Sequence, residues 1–189
     1  MAQSKSTTIT DPQVMRAMAH PARIEIMEHL ASTGAVVTAT EMAGVVGLSP
    51  SATSYHLREL AKYGLVEQAP SRGDARERVW RSTSSGWSLD SDNEEPEVLA
   101  AGQALADAYL TRSYARLRDW FARQHQESKQ WREANMLSTQ MLLLTADELR
   151  DVNAAVRELL AQYTRRERIA DAPAGARPVS VLYATSPID

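Results

Sequence analysis

The chain has 189 residues, of which 43% are hydrophobic and 24% charged, and its formal net charge is −3. This length allows one compact domain and a second small one. No apolar stretch is long enough to cross a bilayer, and the polar residues 1–11 lack the hydrophobic core of a secretion signal, so we expect a cytoplasmic protein.

Two supporting helices are predicted near the N-terminus. Residues 11–19 can form one helix, and Pro21 can open a second that ends at Gly34. The second helix presents four apolar side chains to a core: Ile24, Met27, Leu30 and Ala31. His20 and His29 fit cap or surface positions better than ligand positions, because no metal-binding partner follows either of them at a useful spacing.

Residues 38–66 carry the signals for two short helices joined by a tight turn. Thr38 and Glu41 have capping-box spacing, so a helix should begin near residue 39. Gly47 can adopt the left-handed conformation that commonly ends a helix. The first helix of the pair is therefore predicted to be about two turns long.

A second helix is predicted to start almost at once. Ser49 is a suitable N-cap, Pro50 fits the first helical position, and Gly64 ends the helix. Helical spacing predicts a core-facing side made of Thr53, Leu57, Leu60 and Ala61. The opposite side holds Ser51, Ser54, Tyr55, Arg58 and Lys62.

This second helix has the side-chain order of a DNA recognition helix. Small polar side chains near its start allow close approach to base edges, and cations further along can reach phosphate or guanine. The candidate DNA contacts are Ser49, Ser51, Ala52, Ser54, Tyr55, His56, Arg58 and Lys62. The alternative is an ordinary solvated helix face.

A β-hairpin, or wing, is predicted from residues 65–69 and 78–82, joined by a turn rich in proline, glycine and aspartate. Candidate contacts to phosphate or a minor groove are Arg72, Arg76 and Arg78, with Arg81 beside them. From Ser54 to Arg81 there are six cations against four anions, a local balance of +2. A solvated hairpin is the alternative, because Asp74 and Glu77 dilute the positive charge.

The ordered pieces AMAHPARIEIMEHL, TEMAGVVGLSPSATSYHLRELAKYGLV and a wing resemble the ArsR-like winged helix-turn-helix repressors. The likeness covers residues 13–82, and its most specific parts are residues 19–21, 54–57 and 64–66. In that family the second helix reads the major groove and homodimers bind palindromic operators. The resemblance implies the same here, with repression as the sign and with His56 shaping the DNA face or touching phosphate.

Metal sensing by thiolates is excluded, although metal-sensing members of the family place cysteines in the helix equivalent to residues 41–46. This chain has no cysteine. His125 lies between two glutamines with no second histidine three or four residues away, so we expect no metal and no cofactor. A metalloregulator that uses oxygen and nitrogen ligands is an alternative.

An enzyme is not expected. Some methyltransferases use winged helices as dimerisation modules, but they continue into a cofactor-binding domain with a glycine-rich loop, and Gly102 alone provides no such loop. A winged helix that serves only dimerisation or protein docking, without DNA binding, is the second alternative.

A long helix is predicted over residues 97–130, after an acidic linker at 89–96. Its apolar positions are Val98, Leu105, Tyr109, Leu117, Trp120 and Phe121. Such a helix is suited to a dimer interface, because each DNA reader needs a second copy held about 34 Å away. The alternative is an ordinary core helix.

The remaining chain predicts a companion domain of helices and strands. Residues 136–144 are a dense apolar run typical of a buried strand, and Thr145 with Glu148 makes another capping box. Residues 179–184 are predicted as a final strand paired with the first. A pocket for an unknown small-molecule effector could be lined by Trp120, Trp131, Tyr109 and Tyr114, and packed core is the alternative.

The sequence therefore predicts an α+β, mainly helical protein. The expected parts are a flexible tail at 1–10, a winged helix-turn-helix domain at 11–88, an acidic linker at 89–96, and a C-terminal α/β companion and dimerisation domain at 97–189. The predicted function is that of a sequence-specific DNA-binding transcriptional regulator.

Overall fold

The computed structural model describes residues 6–71, 78–89 and 93–188. Its content is mainly helical with short strands, which confirms the predicted fold class. The chain divides into a first unit, Met1–Arg112, and a second unit, Ser113–Asp189. In order, the elements are β1 (Ser6–Ile9), α1 (Pro12–Met18), α2 (Pro21–Thr33), β2 (Val37–Thr38), α3 (Ala39–Val46), α4 (Pro50–Lys62), β3 (Val66–Ala69), β4 (Val79–Ser82), β5 (Gly86–Leu89), α5 (Pro96–Arg123), α6 (Lys129–Ala134), α7 (Ala146–Ala161) and α8 (Arg165–Arg168).

The two supporting helices form as predicted. The Asp11 carboxylate accepts a hydrogen bond from the Gln13 amide at 2.7 Å and caps α1. The His20 Nδ1 atom accepts one from the Ala22 amide at 3.2 Å and caps α2, which confirms a cap position for His20. Fully buried side chains from both helices form the centre of the core: Met15, Met18, Ile24, Ile26 and Leu30.

Two small sheets accompany the helices of the first unit. Strands β2, β4 and β3 form an antiparallel sheet in that order, which confirms the predicted wing strands. Strand β1 pairs in parallel with β5, with Ser6 opposite Gly86. The strand β1 lies in the segment for which the sequence predicted only a polar tail.

The first half of α5 is a core helix of the first unit. Val98, Ala101 and Leu105 are buried in the same core as the N-terminal helices. At the far end of this half, the Arg112 guanidinium bonds Glu28 at 3.0 Å and Glu25 at 3.2 Å, both on α2. The helix ends at Arg123, and a 3₁₀ turn over residues 124–126 separates it from α6.

The second unit contains no strand among its described residues, 113–188, so the two strands predicted at 136–144 and 179–184 are wrong as elements of the single chain. Their apolar side chains are exposed rather than buried. A strand needs a hydrogen-bonded neighbour and a covered apolar face, and neither segment has one here. The helix between them does form, with the predicted capping box: the Thr145 amide donates to Glu148 at 2.7 Å, and the Glu148 amide donates to the Thr145 hydroxyl at 3.2 Å.

Candidate nucleic-acid interface

The helix α3 and the turn after it are closed by local hydrogen bonds. The Thr38 amide donates to the Glu41 carboxylate at 2.7 Å, and the Glu41 amide donates to the Thr38 hydroxyl at 3.1 Å. Gly47 ends the helix at φ +65°, a left-handed conformation that other residues rarely adopt. The Leu48 amide then returns to the Ala43 carbonyl at 3.2 Å, so the chain turns sharply into α4.

The start of α4 exposes small hydroxyl groups. The Ser49 hydroxyl caps the helix by accepting a hydrogen bond from the Ala52 amide at 3.2 Å. The Ser49 and Ser51 hydroxyl oxygens are 3.1 Å apart, and both residues are exposed. With Pro50 at the first helical position, this end carries no bulky polar side chain that would hold a duplex away.

The inner face of α4 fixes which side of the helix is exposed. Thr53, Leu57 and Leu60 have no exposed surface, as the helical spacing predicted. Gly64, at φ +67°, ends the helix, and the Leu65 amide bonds the Leu60 carbonyl at 3.1 Å. The helix is thus anchored at both ends and along one side, so its outer face is preorganised.

The predicted contact residues of α4 lie mostly on this outer face. Ser51, Arg58 and Lys62 are exposed, and Tyr55 is 53% exposed. Ala52 and Ser54 are half-buried beside them. The structure therefore brings hydroxyls, one phenol and two cations together along one helix side of about three turns.

The two cations on α4 differ in their partners. Lys62 forms an ion pair with Glu59, which raises the pKa of the lysine and lowers that of the carboxylate through their hydrogen bond. The Arg58 Nε atom donates to the Ser54 carbonyl at 3.2 Å, and among the described residues Arg58 is in no ion pair. Arg58 is accordingly the cation that a phosphate or guanine can engage without first separating a salt bridge.

His56 is the predicted contact that the structure places inside. It is 9% exposed, and its ring centroid lies 4.6 Å from that of His20 and 5.4 Å from that of Tyr55. Of the two roles implied by the family resemblance, this position allows shaping of the DNA face rather than direct contact with phosphate. Burial, and then the nearby His20 and Arg23, lower the pKa of His56.

The His20 partner of this ring pair was not expected from the sequence. Burial, and then Arg23, lower the pKa of His20, and its capping bond to Ala22 requires an unprotonated Nδ1 atom. Both rings are therefore neutral near pH 7. The only sequence signal was the histidine before Pro21, and nothing local indicated that it would reach α4.

Two of the four wing arginines, Arg78 and Arg81, lie within the described residues. Arg78 is exposed at the start of β4. Arg81 is instead held across the strands by Glu67, its register partner, at 2.7 Å. The predicted contacts Arg72 and Arg76 lie outside the described residues.

Three further features considered from the sequence are a metal site, a membrane span and an effector pocket. Over residues 6–71, 78–89 and 93–188, no group of three or more histidines and carboxylates is placed to hold a metal ion. No helix in the same ranges is long and apolar enough to span a membrane. Of the four aromatic residues considered for an effector pocket, Tyr109 bonds Trp87 in the first unit, and Trp131 lies under the Arg177 guanidinium in the second.

Residues 18–69 match the family described as helix-turn-helix domain. These residues fall inside the range 13–82 that carries the sequence resemblance. The helix-turn-helix part of that resemblance is thereby confirmed for residues 18–69. No curated protein matches the chain.

Solved structures of bacterial proteins are also similar. The predicted DNA-binding transcriptional regulator from E. coli is 28% identical, covering 51% of this chain and 83% of its own, with a TM-score of 0.31. NolR from Sinorhizobium fredii is 29% identical, covering 49% of this chain and 77% of its own, also with a TM-score of 0.31. A homodimeric winged helix-turn-helix domain from Mycobacterium bovis, described as a possible ArsR-family regulator, is 19% identical, covering 61% and 84%, with a TM-score of 0.32. These scores lie below 0.5, so the likenesses do not extend to what this chain binds.

Proposed function

Residues 18–69 match the helix-turn-helix domain family, and from that match we propose that this protein is a sequence-specific DNA-binding transcriptional regulator. It binds a palindromic operator as a homodimer, and occupancy of a promoter represses transcription. The work is done in the cytoplasm and involves no catalysis, metal or cofactor. A small-molecule effector is compatible with this function but not required by it.

The observation that carries the proposal is the outer face of α4. This face is held rigidly by a buried inner side, begins with exposed serine hydroxyls and continues to an arginine in no described ion pair. A rigid helix with this order of side chains can enter a major groove N-terminus first. Bases are then read at the serine end while Arg58 reaches guanine or phosphate.

The homodimer supports the same function by geometry. One recognition helix covers only a few base pairs, and two copies about 34 Å apart reach successive major grooves on one side of the duplex. Two regions of the chain offer exposed apolar surface for such pairing. One is the outer side of α5, with Leu99 and Leu110 three helical turns apart, and the other is the second unit.

The direct test is selection of bound fragments from random or genomic DNA with the full chain. We expect enrichment of an inverted repeat whose half-sites are about 10 base pairs apart centre to centre, with affinity that falls steeply as salt is raised. An enriched sequence without symmetry would contradict the homodimer. No enrichment and no gel shift at low salt would replace the proposal with the docking module.

Arg58→Ala tests the proposed contact itself. We expect operator affinity to fall by about 1–3 kcal/mol if Arg58 reads a base, or uniformly over all sequences with a salt slope reduced by about 1 if it holds a phosphate. The matched control is Arg150→Ala, which removes an exposed arginine from α7 and should leave binding unchanged. Unaltered affinity and salt slope in Arg58→Ala would remove this residue from the interface.

A further inference from the structure

The second unit lacks a buried core of its own. None of its described residues, 113–188, is buried, although the unit contains an amphipathic helix, α7, and two dense apolar segments. Isolated surface leucines are normal in monomers, but two segments with this many exposed large apolar side chains indicate a binding face.

The apolar surface is concentrated in two segments that flank α7. We call them the paired segments: residues 136–144 and residues 178–188. Their exposed large side chains are Met136, Leu137, Met141, Leu142, Leu143, Leu144, Val179, Val181, Leu182, Tyr183 and Ile188. Leu143 is 101% exposed, so it touches almost nothing in its own chain.

The backbone of the paired segments is also unpartnered. In the part of the chain that the structure describes, neither segment belongs to a helix or strand, and neither makes a backbone hydrogen bond to other backbone atoms. Free amide and carbonyl groups beside exposed apolar side chains form a template for pairing with another chain. The sequence of the first segment is that of a buried strand, which is what it becomes if a neighbour is supplied.

Polar contacts hold the second paired segment in place while leaving its apolar side chains uncovered. The Arg177 guanidinium, immediately before the segment, bonds both Glu127 carboxylate oxygens at 2.8 and 3.0 Å. Further along, the Tyr183 hydroxyl donates to the Asn153 side chain of α7 at 2.9 Å. The segment is therefore positioned by its own chain but not buried by it.

We propose that the paired segments of one chain pack against the paired segments of a second copy and form a strand-paired dimer core. This inference rests on the proposed function, since it names the surface that joins the two DNA readers. It assigns dimerisation to residues 136–188 rather than to the outer side of α5.

The charge of the surface identifies a second copy as the occupant. Neither paired segment contains a lysine, arginine, aspartate or glutamate. Identical surfaces with no charge meet without like-charge repulsion. A lipid surface is usually bound through flanking cations, and the arginine beside the second segment, Arg177, is already paired with Glu127. A self-complementary patch of this kind suits a two-fold interface.

The area is also sufficient for a stable dimer. The eleven large apolar side chains of the paired segments are exposed, on average, by about two thirds. Because a fully buried aliphatic side chain removes on the order of 90 Å² from water, this surface offers roughly 650 Å² per copy. Stable interfaces bury about 600–1,000 Å² on each partner.

The first experiment needs no substitution. Amide hydrogen exchange of the full wild-type chain, without DNA, is measured at high and at low protein concentration. Sedimentation velocity gives the oligomeric state at each concentration. We expect a dimer at micromolar concentration, with amides of 136–144 and 178–188 protected in the dimer and exchanging quickly after dilution. A monomer at all concentrations, or a dimer in which these amides remain unprotected, would overturn the proposal.

Substitution then locates the interface. Leu142→Glu and Val181→Glu should each weaken dimerisation by at least tenfold, because each would bury a charge without a partner. The matched control is Leu110→Glu on α5, where the leucine has a similar exposure. Dimerisation lost only in Leu110→Glu would overturn the assignment. If either variant aggregates, the exchange experiment decides alone.

A third measurement separates this inference from the proposed function. Since the chain has no cysteine, Leu143→Cys provides a single thiol for bismaleimide crosslinking, with Arg150→Cys as the control. Crosslinked dimer from Leu143→Cys alone supports the paired segments, whether or not operator DNA is bound. DNA binding by a dimer that fails to crosslink at this position would refute the interface and leave the regulator intact.

Discussion

The two units of this chain differ in where their apolar side chains lie. The first unit buries large residues from five helices and its three-stranded sheet in one cluster, including Met42, Leu57 and Trp80. The second unit has comparable helices and apolar runs but buries none of its described residues. Helices and apolar segments of the same kind thus form a buried core in the first unit and leave their apolar side chains exposed in the second. Under the proposed dimer, what differs is whether the complementary surface belongs to the same chain.

The largest effect should come from removing a core side chain of the first unit. Leu57→Ala deletes a side chain with no exposed surface, and we expect it to lower the free energy of unfolding by about 2–5 kcal/mol through lost burial and a residual cavity. A urea titration followed by circular dichroism measures this difference. In the second unit, Leu143→Ala at low protein concentration should change the free energy of unfolding by less than about 0.5 kcal/mol, because that side chain is already in water. Equal losses in both variants would mean that the second unit has a core within the single chain.

A smaller effect is expected from two capping boxes of nearly the same geometry. Thr38→Ala removes a buried hydroxyl at the start of α3 and should cost about 1–2 kcal/mol of stability, near the upper end for N-caps. Thr145→Ala removes its exposed equivalent at α7 and should cost about 0.5 kcal/mol in the diluted protein. Thr38→Ser and Thr145→Ser, which keep the hydroxyl, should restore most of each loss. A larger loss at Thr145 than at Thr38 would reverse the comparison between the units.

Local signals made most of the helix-turn-helix predictable. Capping-box spacing at Thr38, a glycine at Gly47 and a serine–proline start at Ser49 each act within a few residues, and each forms the predicted hydrogen bond or backbone angle. Helical spacing likewise placed Leu57 and Leu60 in the core. These features depend on the chain's immediate neighbours and not on its tertiary structure.

The missed features all depend on distant partners. The pairing of β1 with β5 joins Ser6 to Gly86, and a short polar strand carries no signal for a neighbour so far along the sequence. His56 falls at helical spacing from Thr53 and Leu60, on the buried side of α4, and the ring packed against it is His20, which precedes α2 by one residue and lies 36 positions earlier in the sequence. For the strands predicted in the second unit, the apolar pattern is present but no neighbour lies within the described residues.

The smallest predicted effect is a pH dependence confined to the first unit. His20 and His56 both have pKa values below the ordinary 6.5, so in acid the unfolded chain binds more protons than the folded one. Stability is then complete above pH 6.5 and decreases as the pH falls through the lowered values. Arg23 opposes protonation of both rings, and Glu59, which raises the pKa of His56, only partly offsets it.

Histidine substitutions test that assignment through the slope of stability against pH. Between pH 7.5 and 5.5, the free energy of unfolding of the wild-type protein should fall by less than the amount that Thr38→Ala costs at pH 7. In the His56→Gln variant, this free energy should depend less steeply on pH. His125→Gln is the matched control, since that exposed side chain lies in the second unit and should leave the slope unchanged.

Because His56 packs beneath the outer face of α4 and its partner His20 caps α2, protonation would also disturb the DNA-facing surface, so operator affinity should weaken over the same pH range. A wild-type slope in the His56→Gln variant would show that the ring pair does not sense acid, and that the loss of stability originates elsewhere in the chain.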